Sequence, residues 1–257
     1  MRGLKGKRIV LAGAATGVGA GAAVRLGEEG AAVVIGDLNL AGAEATAAEI
    51  RSGGGTAVAY EFDLADEASV VELVQHVVDE FGGIDGLVNA GADLSPRTIG
   101  VDKNLLETDM AVWQRTLDVN LLGYVRMSKA VVPLLIEAGG GSIVNVSSGA
   151  AVSRGDGKRP AYAASKSAIL ALTRHVATNW GRDGVRCNGV MPGFVMGPTQ
   201  VQQNDTELQD MFLAQVPTTR LGRPSDLGAV IALLLSDDAE WINGQVWAID
   251  GGANMRF

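Results

Sequence analysis

Tyr162 and Lys166 stand four residues apart in the run Ala161-Tyr162-Ala163-Ala164-Ser165-Lys166, whose alanines favour helix. Residues four apart on a helix lie one above the other, so the phenol and the ammonium become neighbours once the helix forms. A phenol titrates near pH 10, and acid–base work near pH 7 to 8 needs a shift of two to three units, about 3–4 kcal/mol. One ammonium about 4 Å away, at an effective dielectric near 20, supplies about 4 kcal/mol. The pair can thus exchange a proton near neutrality, although Tyr-x-x-x-Lys alone also arises by chance. Upstream, Asn145-Val146-Ser147-Ser148 closes an apolar run. A hydroxyl at the carboxyl end of a parallel strand is placed to hydrogen-bond a carbonyl or alcohol oxygen; Ser148 is the candidate and Ser147 the alternative. In Leu117-Asp118-Val119-Asn120 an amide enters an otherwise apolar helical pattern. A buried Asn without partners costs about 1–3 kcal/mol, so a water or a backbone carbonyl is expected beside it.

A second group of residues suits an anionic ligand. Ala12-Gly13-Ala14-Ala15-Thr16-Gly17-Val18-Gly19 follows an apolar run and opens an alanine-rich helix. Backbone N–H groups at a helix N-terminus bind a pyrophosphate, and a Cβ at the glycine positions would hold it away. No Lys followed by Ser or Thr closes the turn, so it is not a P-loop; a plain strand-to-helix turn is the alternative. Asp37 lies 18 residues beyond Gly19, close to the offset at which an acidic group meets the ribose hydroxyls of a dinucleotide. A carboxylate there repels a 2′-phosphate, and neither Leu38 nor Thr16 supplies a cation, so NAD is favoured over NADP. Asp37 as a cap for the helix that starts at Leu40 is the plainer reading.

The elements that must position these groups alternate. Strands are expected at Arg8 to Ala12, Ala32 to Gly36, Ala57 to Phe62, Gly86 to Asn89, Ser142 to Val146, Arg186 to Val190 and Gln245 to Ile249. Helices are expected at Gly17 to Glu29, Leu40 to Arg51, Glu67 to Phe81, Ala111 to Ala138, Ala161 to Trp180 and Pro224 to Leu235. Alternation of this kind is the signature of an α/β fold, a Rossmann-like, doubly wound parallel sheet of seven strands with helices on both faces. Without repeats or linkers, residues 1–257 read as one dinucleotide-binding and catalytic domain. Residues 193–223, bounded by Pro192 and Pro224, break the alternation and read as a substrate lid. Met191, Met196, Met211, Phe194 and Phe212 flank it, as core or as pocket.

Taken together, these motifs resemble the short-chain dehydrogenase/reductase family over essentially the whole chain, from Lys7 to Gly252. The match includes the glycine turn, Asp63-Leu64, Asn89-Ala90-Gly91, Asn120, Ser148, Tyr162, Lys166, Pro192-Gly193 and Asp250-Gly251-Gly252, in family order. The resemblance implies that Tyr162 is the general acid/base and that Lys166 lowers its pKa and binds the nicotinamide ribose. It implies that Ser148 positions the substrate oxygen and that Asn120 holds a water in a proton relay. It also implies that Asp63 and Leu64 contact adenine, that Asn89, Ala90 and Gly91 line the adenosine side, that Val195 meets the carboxamide, and that the chain is a homotetramer. Ala12 departs from the family's usual Thr, Ser148 lies one residue further than usual before Tyr162, and Gly197 stands where many members have a carboxamide-binding Thr, a part Thr199 would have to take.

Composition narrows the partners. Hydrophobic residues make up 47% against 19% charged, with mean hydropathy +0.19, enough apolar surface to offset the ordering entropy of a fold. The net charge of −8, with no basic cluster, argues against nucleic acid. One cysteine, Cys187, and two histidines, His76 and His175, leave no metal site and fit a reducing, cytoplasmic setting. All three read as structural. Arg2, Lys5, Lys7 and Arg8 before Ile9 to Ala15 imitate a signal peptide, but Gly13 and Gly17 interrupt it, and no run of 18 apolar residues suggests a membrane span. The expected activity is hydride transfer between NAD(H) and a secondary alcohol or ketone. A 3-oxoacyl thioester reductase using NADPH and a catalytically silent dinucleotide-binding regulator are the alternatives.

Overall fold

The computed structural model describes residues 1–153, 157–197 and 206–255. In chain order the elements are β1 (Arg8–Ala12), α1 (Gly17–Glu28), β2 (Ala32–Asp37), α2 (Leu40–Ser52), β3 (Thr56–Glu61), α3 (Glu67–Phe81), β4 (Gly86–Asn89), α4 (Met110–Leu117), α5 (Gly123–Glu137), β5 (Gly141–Val146), α6 (Pro160–Trp180), β6 (Val185–Pro192), α7 (Thr206–Leu213), α8 (Pro224–Leu235) and β7 (Val246–Ile249). The strands form a parallel sheet in the order β3-β2-β1-β4-β5-β6-β7. The chain winds outward through β2 and β3, then returns to place β4 against the other side of β1. That reversal separates the loops after β1 and β4 and opens a crevice at their carboxyl ends.

Alternate strand residues face opposite layers. Ile9, Leu11, Val33, Ile35, Val144 and Val190 pack with α1, α2 and α8. Val10, Val34, Leu87, Ile143 and Cys187 pack with α3, α5 and α6. Burial on both faces is why these strands are near-continuous apolar runs, and each fully buried Leu, Ile or Val contributes roughly 1.5–3 kcal/mol. Cys187 is buried, with its thiol pushed up to about 12 by burial, as a core residue should be. His76 stacks on Tyr60 at 4.7 Å and His175 meets the edge of Trp180.

Two departures from the expected elements have physical reasons. The single helix expected at Ala111 to Ala138 is split, because Asp118–Leu122 forms a π-helical turn between α4 and α5. Such a turn adds a residue to one helical round without breaking the apolar pattern, so it leaves no trace in periodicity. By length and composition alone the helical run Met110–Glu137 could cross a membrane, but half of its most apolar stretch is buried here, with Tyr124, Met127, Val131 and Leu135 in the core. Finally, 193–223 contains α7, whose polar sequence hid it. Val195 bridges to Gly222, and Phe194 stacks on Phe212 at 3.9 Å. Residues 198–205 of the expected lid, Thr199 among them, lie outside the described residues.

Candidate active site

The crevice above β1 and β4 is a cleft of about 1180 Å³, larger than the roughly 300–1,000 Å³ of a drug-sized ligand site. Of the expected site residues, Gly13, Thr16, Gly17, Val18, Gly19, Asp37, Leu38, Asp63, Leu64, Ala90, Gly91, Ser148, Tyr162, Lys166, Pro192, Gly193 and Val195 line it. Asn89 and Asn120 do not. Both are fully buried, Asn89 because its Nδ2 donates 2.9 Å to Asn145 Oδ1 across β4 and β5. Met191, Met196, Met211, Phe194 and Phe212 also stay out of the lining.

The glycine turn divides its labour. Gly13, at φ +91°, has Gly91 so close that a Cβ would meet its Cα at 2.2 Å; it is required by packing between the two loops. Gly17, at φ +59°, has nothing within 4 Å of where a Cβ would stand, so it is the residue that keeps the cleft open to a ligand. Thr16 makes no side-chain cap and α1 carries no acidic residue in its first turn, leaving its N–H groups for an anion. The turn therefore fits a dinucleotide pyrophosphate. Asp37 closes this end: its Oδ2 accepts 2.9 Å from Ala15 N and its Oδ1 accepts 2.9 Å from Asn39 N. The cap of α2 is Asn39, whose Oδ1 accepts from Gly42 N, so Asp37 is not the helix cap.

At the other end, α6 presents Tyr162 and Lys166 to the same cleft, as their spacing requires. The Lys166 ammonium, however, turns inward: Nζ donates 3.0 Å to Val146 O and lies 5.9 Å from the Tyr162 ring centre. Burial raises the Tyr162 phenol, while a hydrogen bond with Ser148 and the charge of Arg159 lower it. Burial also pulls Lys166 down to about 7. Ser148 is the serine at the phenol; Ser147 is buried and donates 2.7 Å to Lys166 O.

Four residues that spacing did not single out hold this end together. The Tyr124 hydroxyl donates 3.1 Å to the same Val146 carbonyl, with its ring centre 5.4 Å from the Lys166 Nζ. The buried Asp102 carboxylate accepts 2.9 Å from Tyr162 N and 3.3 Å from Ala161 N, capping α6 from sixty residues away. Arg159, just ahead of α6, has φ +61°, the one positive value among described non-glycine residues, and its N–H donates to Asp102 O and Lys103 O. Strain of this kind costs roughly 1–3 kcal/mol and persists only where the surroundings fix it. Asp93 N donates 2.8 Å to Asn120 Oδ1, whose Nδ2 donates 3.3 Å to Ser165 Oγ. Asn120 thus satisfies its amide by tying the loop after β4 to α6, with no contact to the cleft.

Residues 13–254 match a family model described as enoyl-(acyl carrier protein) reductase. A 7alpha-hydroxysteroid dehydrogenase of Bacteroides fragilis is 36% identical over 256 residues, covering 100% of this chain and 97% of that protein. The chain belongs to the short-chain dehydrogenase/reductase family. A cis-4-hydroxycyclohexanecarboxylate dehydrogenase of Sinomonas cyclohexanicum is 37% identical across 95% of this short-chain dehydrogenase/reductase and 94% of its own length. The solved structure of a 7alpha-hydroxysteroid dehydrogenase complexed with NADH and 7-oxo glycochenodeoxycholic acid superposes with a TM-score of 0.88 at 30% identity, covering 97% of this chain and 94% of that one. As a short-chain dehydrogenase/reductase, the protein is an oxidoreductase that passes hydride between a nicotinamide dinucleotide and an alcohol or ketone carbon.

Proposed function

We propose that the protein is an NAD-dependent secondary alcohol dehydrogenase, and in reverse a ketone reductase, with Tyr162 as its general acid/base. The observation that carries this reading is the meeting of Tyr162, Ser148 and Lys166 at one end of a cleft whose other end is a glycine turn closed by Asp37. Bound there, the coenzyme supplies the hydride chemistry. Gly17 and the first turn of α1 take its pyrophosphate, Asp63, Leu64, Ala90 and Gly91 its adenosine side, and Pro192, Gly193 and Val195 its carboxamide side. Ser148 holds the substrate oxygen beside the Tyr162 phenol. Lys166, beside the Tyr162 ring, lowers the phenol's pKa and binds the nicotinamide ribose. Asn120 acts as a positioning residue through Asp93 and Ser165.

NAD is the coenzyme because Asp37 would accept from the ribose hydroxyls and repel a 2′-phosphate, with Leu38, Asn39 and Thr16 beside it rather than a cation. The chain works as one domain, as a cytoplasmic enzyme with its single thiol buried, and as a homotetramer; exposed Leu106, Met110 and Leu122 on and before α4 and α5 support a covered face. A panel of cyclic and aromatic secondary alcohols, followed by nicotinamide absorbance, tests the reading. Oxidation is expected with NAD+ at a kcat/KM at least tenfold above that with NADP+. A preference for NADP+ would overturn the coenzyme assignment, and silence across the panel in both directions would leave the dinucleotide-binding regulator.

A further inference from the structure

Among the described residues, three cations line the cleft: Lys166, Arg115 and Arg97. Lys166 is committed to Val146 O. Arg115 is paired, Nε to Asp93 Oδ2 at 3.1 Å, and Asp93 Oδ1 accepts from Ser95 N and Thr98 Oγ1 at 3.0 Å each. The Asp93 charge is therefore matched by Arg115. Arg97 is exposed at the mouth, and no hydrogen bond or ion pair reaches it among the described residues.

Topology places Arg97 at the substrate end. It belongs to the loop after β4, which Asp93 and Asn120 tie to Ser165, one turn beyond Tyr162 on α6. Asp37 sits at the end of β2, two strands away across β1, roughly 10 Å in a parallel sheet. The lining at this end combines apolar Leu94, 57% exposed, Pro96, Ala111, Val112 and Val119 with Ser95, Thr98 and the Asp93–Arg115 pair. In a chain of net charge −8, a guanidinium at the mouth beside an Asp93–Arg115 pair that offsets its own charge is a local reversal of the field that an anion would meet.

We infer that the substrate is a secondary alcohol on a largely apolar body that also carries a carboxylate, and that Arg97 binds that carboxylate. A single planar guanidinium matches a carboxylate bidentately, whereas a phosphate dianion would draw further cations. The inference rests on the alcohol dehydrogenase reading and names the substrate class of the same site.

Matched pairs of hydroxy acid and methyl ester test it, starting with 4-hydroxycyclohexanecarboxylate and including aromatic and steroidal members, assayed with NAD+. The acid of the best pair is expected to exceed its ester at least tenfold in kcat/KM, chiefly through KM. Arg97→Gln should bring that ratio within about threefold of parity, and Arg97→Lys should retain part of it. Equal rates for acid and ester in the unaltered enzyme would overturn the inference while leaving the dehydrogenase reading intact. So would an Arg97→Gln enzyme whose main defect is the KM for NAD+, which would make Arg97 a coenzyme contact. If no pair is oxidised and titration of the NAD+-loaded protein shows acid and ester binding alike, both readings fall.

Discussion

At the scale of single residues, the site works by opposing shifts. Tyr162 is raised by burial and drawn back by Ser148 and Arg159. Ser148→Ala removes one of the two lowering influences, so the acid limb of kcat/KM for alcohol oxidation should move to higher pH, alongside a rate loss of about 10²-fold or more. A pH profile of the variant that loses rate but keeps its limb in place would contradict this. Lys166 makes the sign of the stability effect explicit. Its folded value of about 7 lies below the unfolded value of about 10.5, so between those pH values the unfolded chain binds more protons and stability rises with pH. Lys166→Met should abolish turnover yet stabilise the coenzyme-free protein at pH 7 by up to roughly 4 kcal/mol, a gain that shrinks toward pH 10. The Val146 carbonyl still accepts from Tyr124 in that variant, so no acceptor is orphaned. Denaturant unfolding at the two pH values checks it; equal differences at both would contradict the shifted lysine.

At the scale of elements, helix α6 delivers the chemistry and Asp102 sets where it begins. Its carboxylate takes the N–H groups of Ala161 and Tyr162, orphan donors in the first turn. Asp102→Ala should cost about 2 kcal/mol of stability and lower kcat by tenfold or more, with the KM for coenzyme little changed. Asp102→Asn, which keeps an accepting oxygen, should restore most of the stability and part of kcat, losing the charge–dipole attraction of about 0.3–1 kcal/mol. Thermal unfolding and steady-state rates of the two variants decide it; no rescue by Asn would mean that the loop, rather than the cap, holds Tyr162. This cap shows what the sequence does and does not disclose. Tyr162 and Lys166 are legible because a helix fixes their relation within one turn, and Ser148 because strand ends face the crevice. Asp102 and Tyr124 reach the site from 60 and 42 residues away, through folding that no local pattern encodes. The π turn at Asn120 is equally silent, since apolar spacing continues through it.

At the scale of the whole molecule, the seven-stranded sheet was readable because strands buried on both faces are apolar throughout and glycines mark the helix ends. The strand reversal at β1 and β4 then creates the crevice, and the glycine turn, Asp37 and the α6 pair arrive at it from three separate parts of the chain. What periodicity could not supply was α7 and the division of roles among the glycines, which depends on contacts such as Gly13 against Gly91. The central claim is that the fold brings a nicotinamide coenzyme to one phenol. It is tested most directly by comparing Tyr162→Phe with the unaltered enzyme at saturating NAD+ and its best secondary alcohol, with NADH affinity measured on both proteins. The account predicts a fall in turnover of about 10³-fold or more with NADH affinity held within a few fold. Turnover within tenfold of the unaltered enzyme would contradict it.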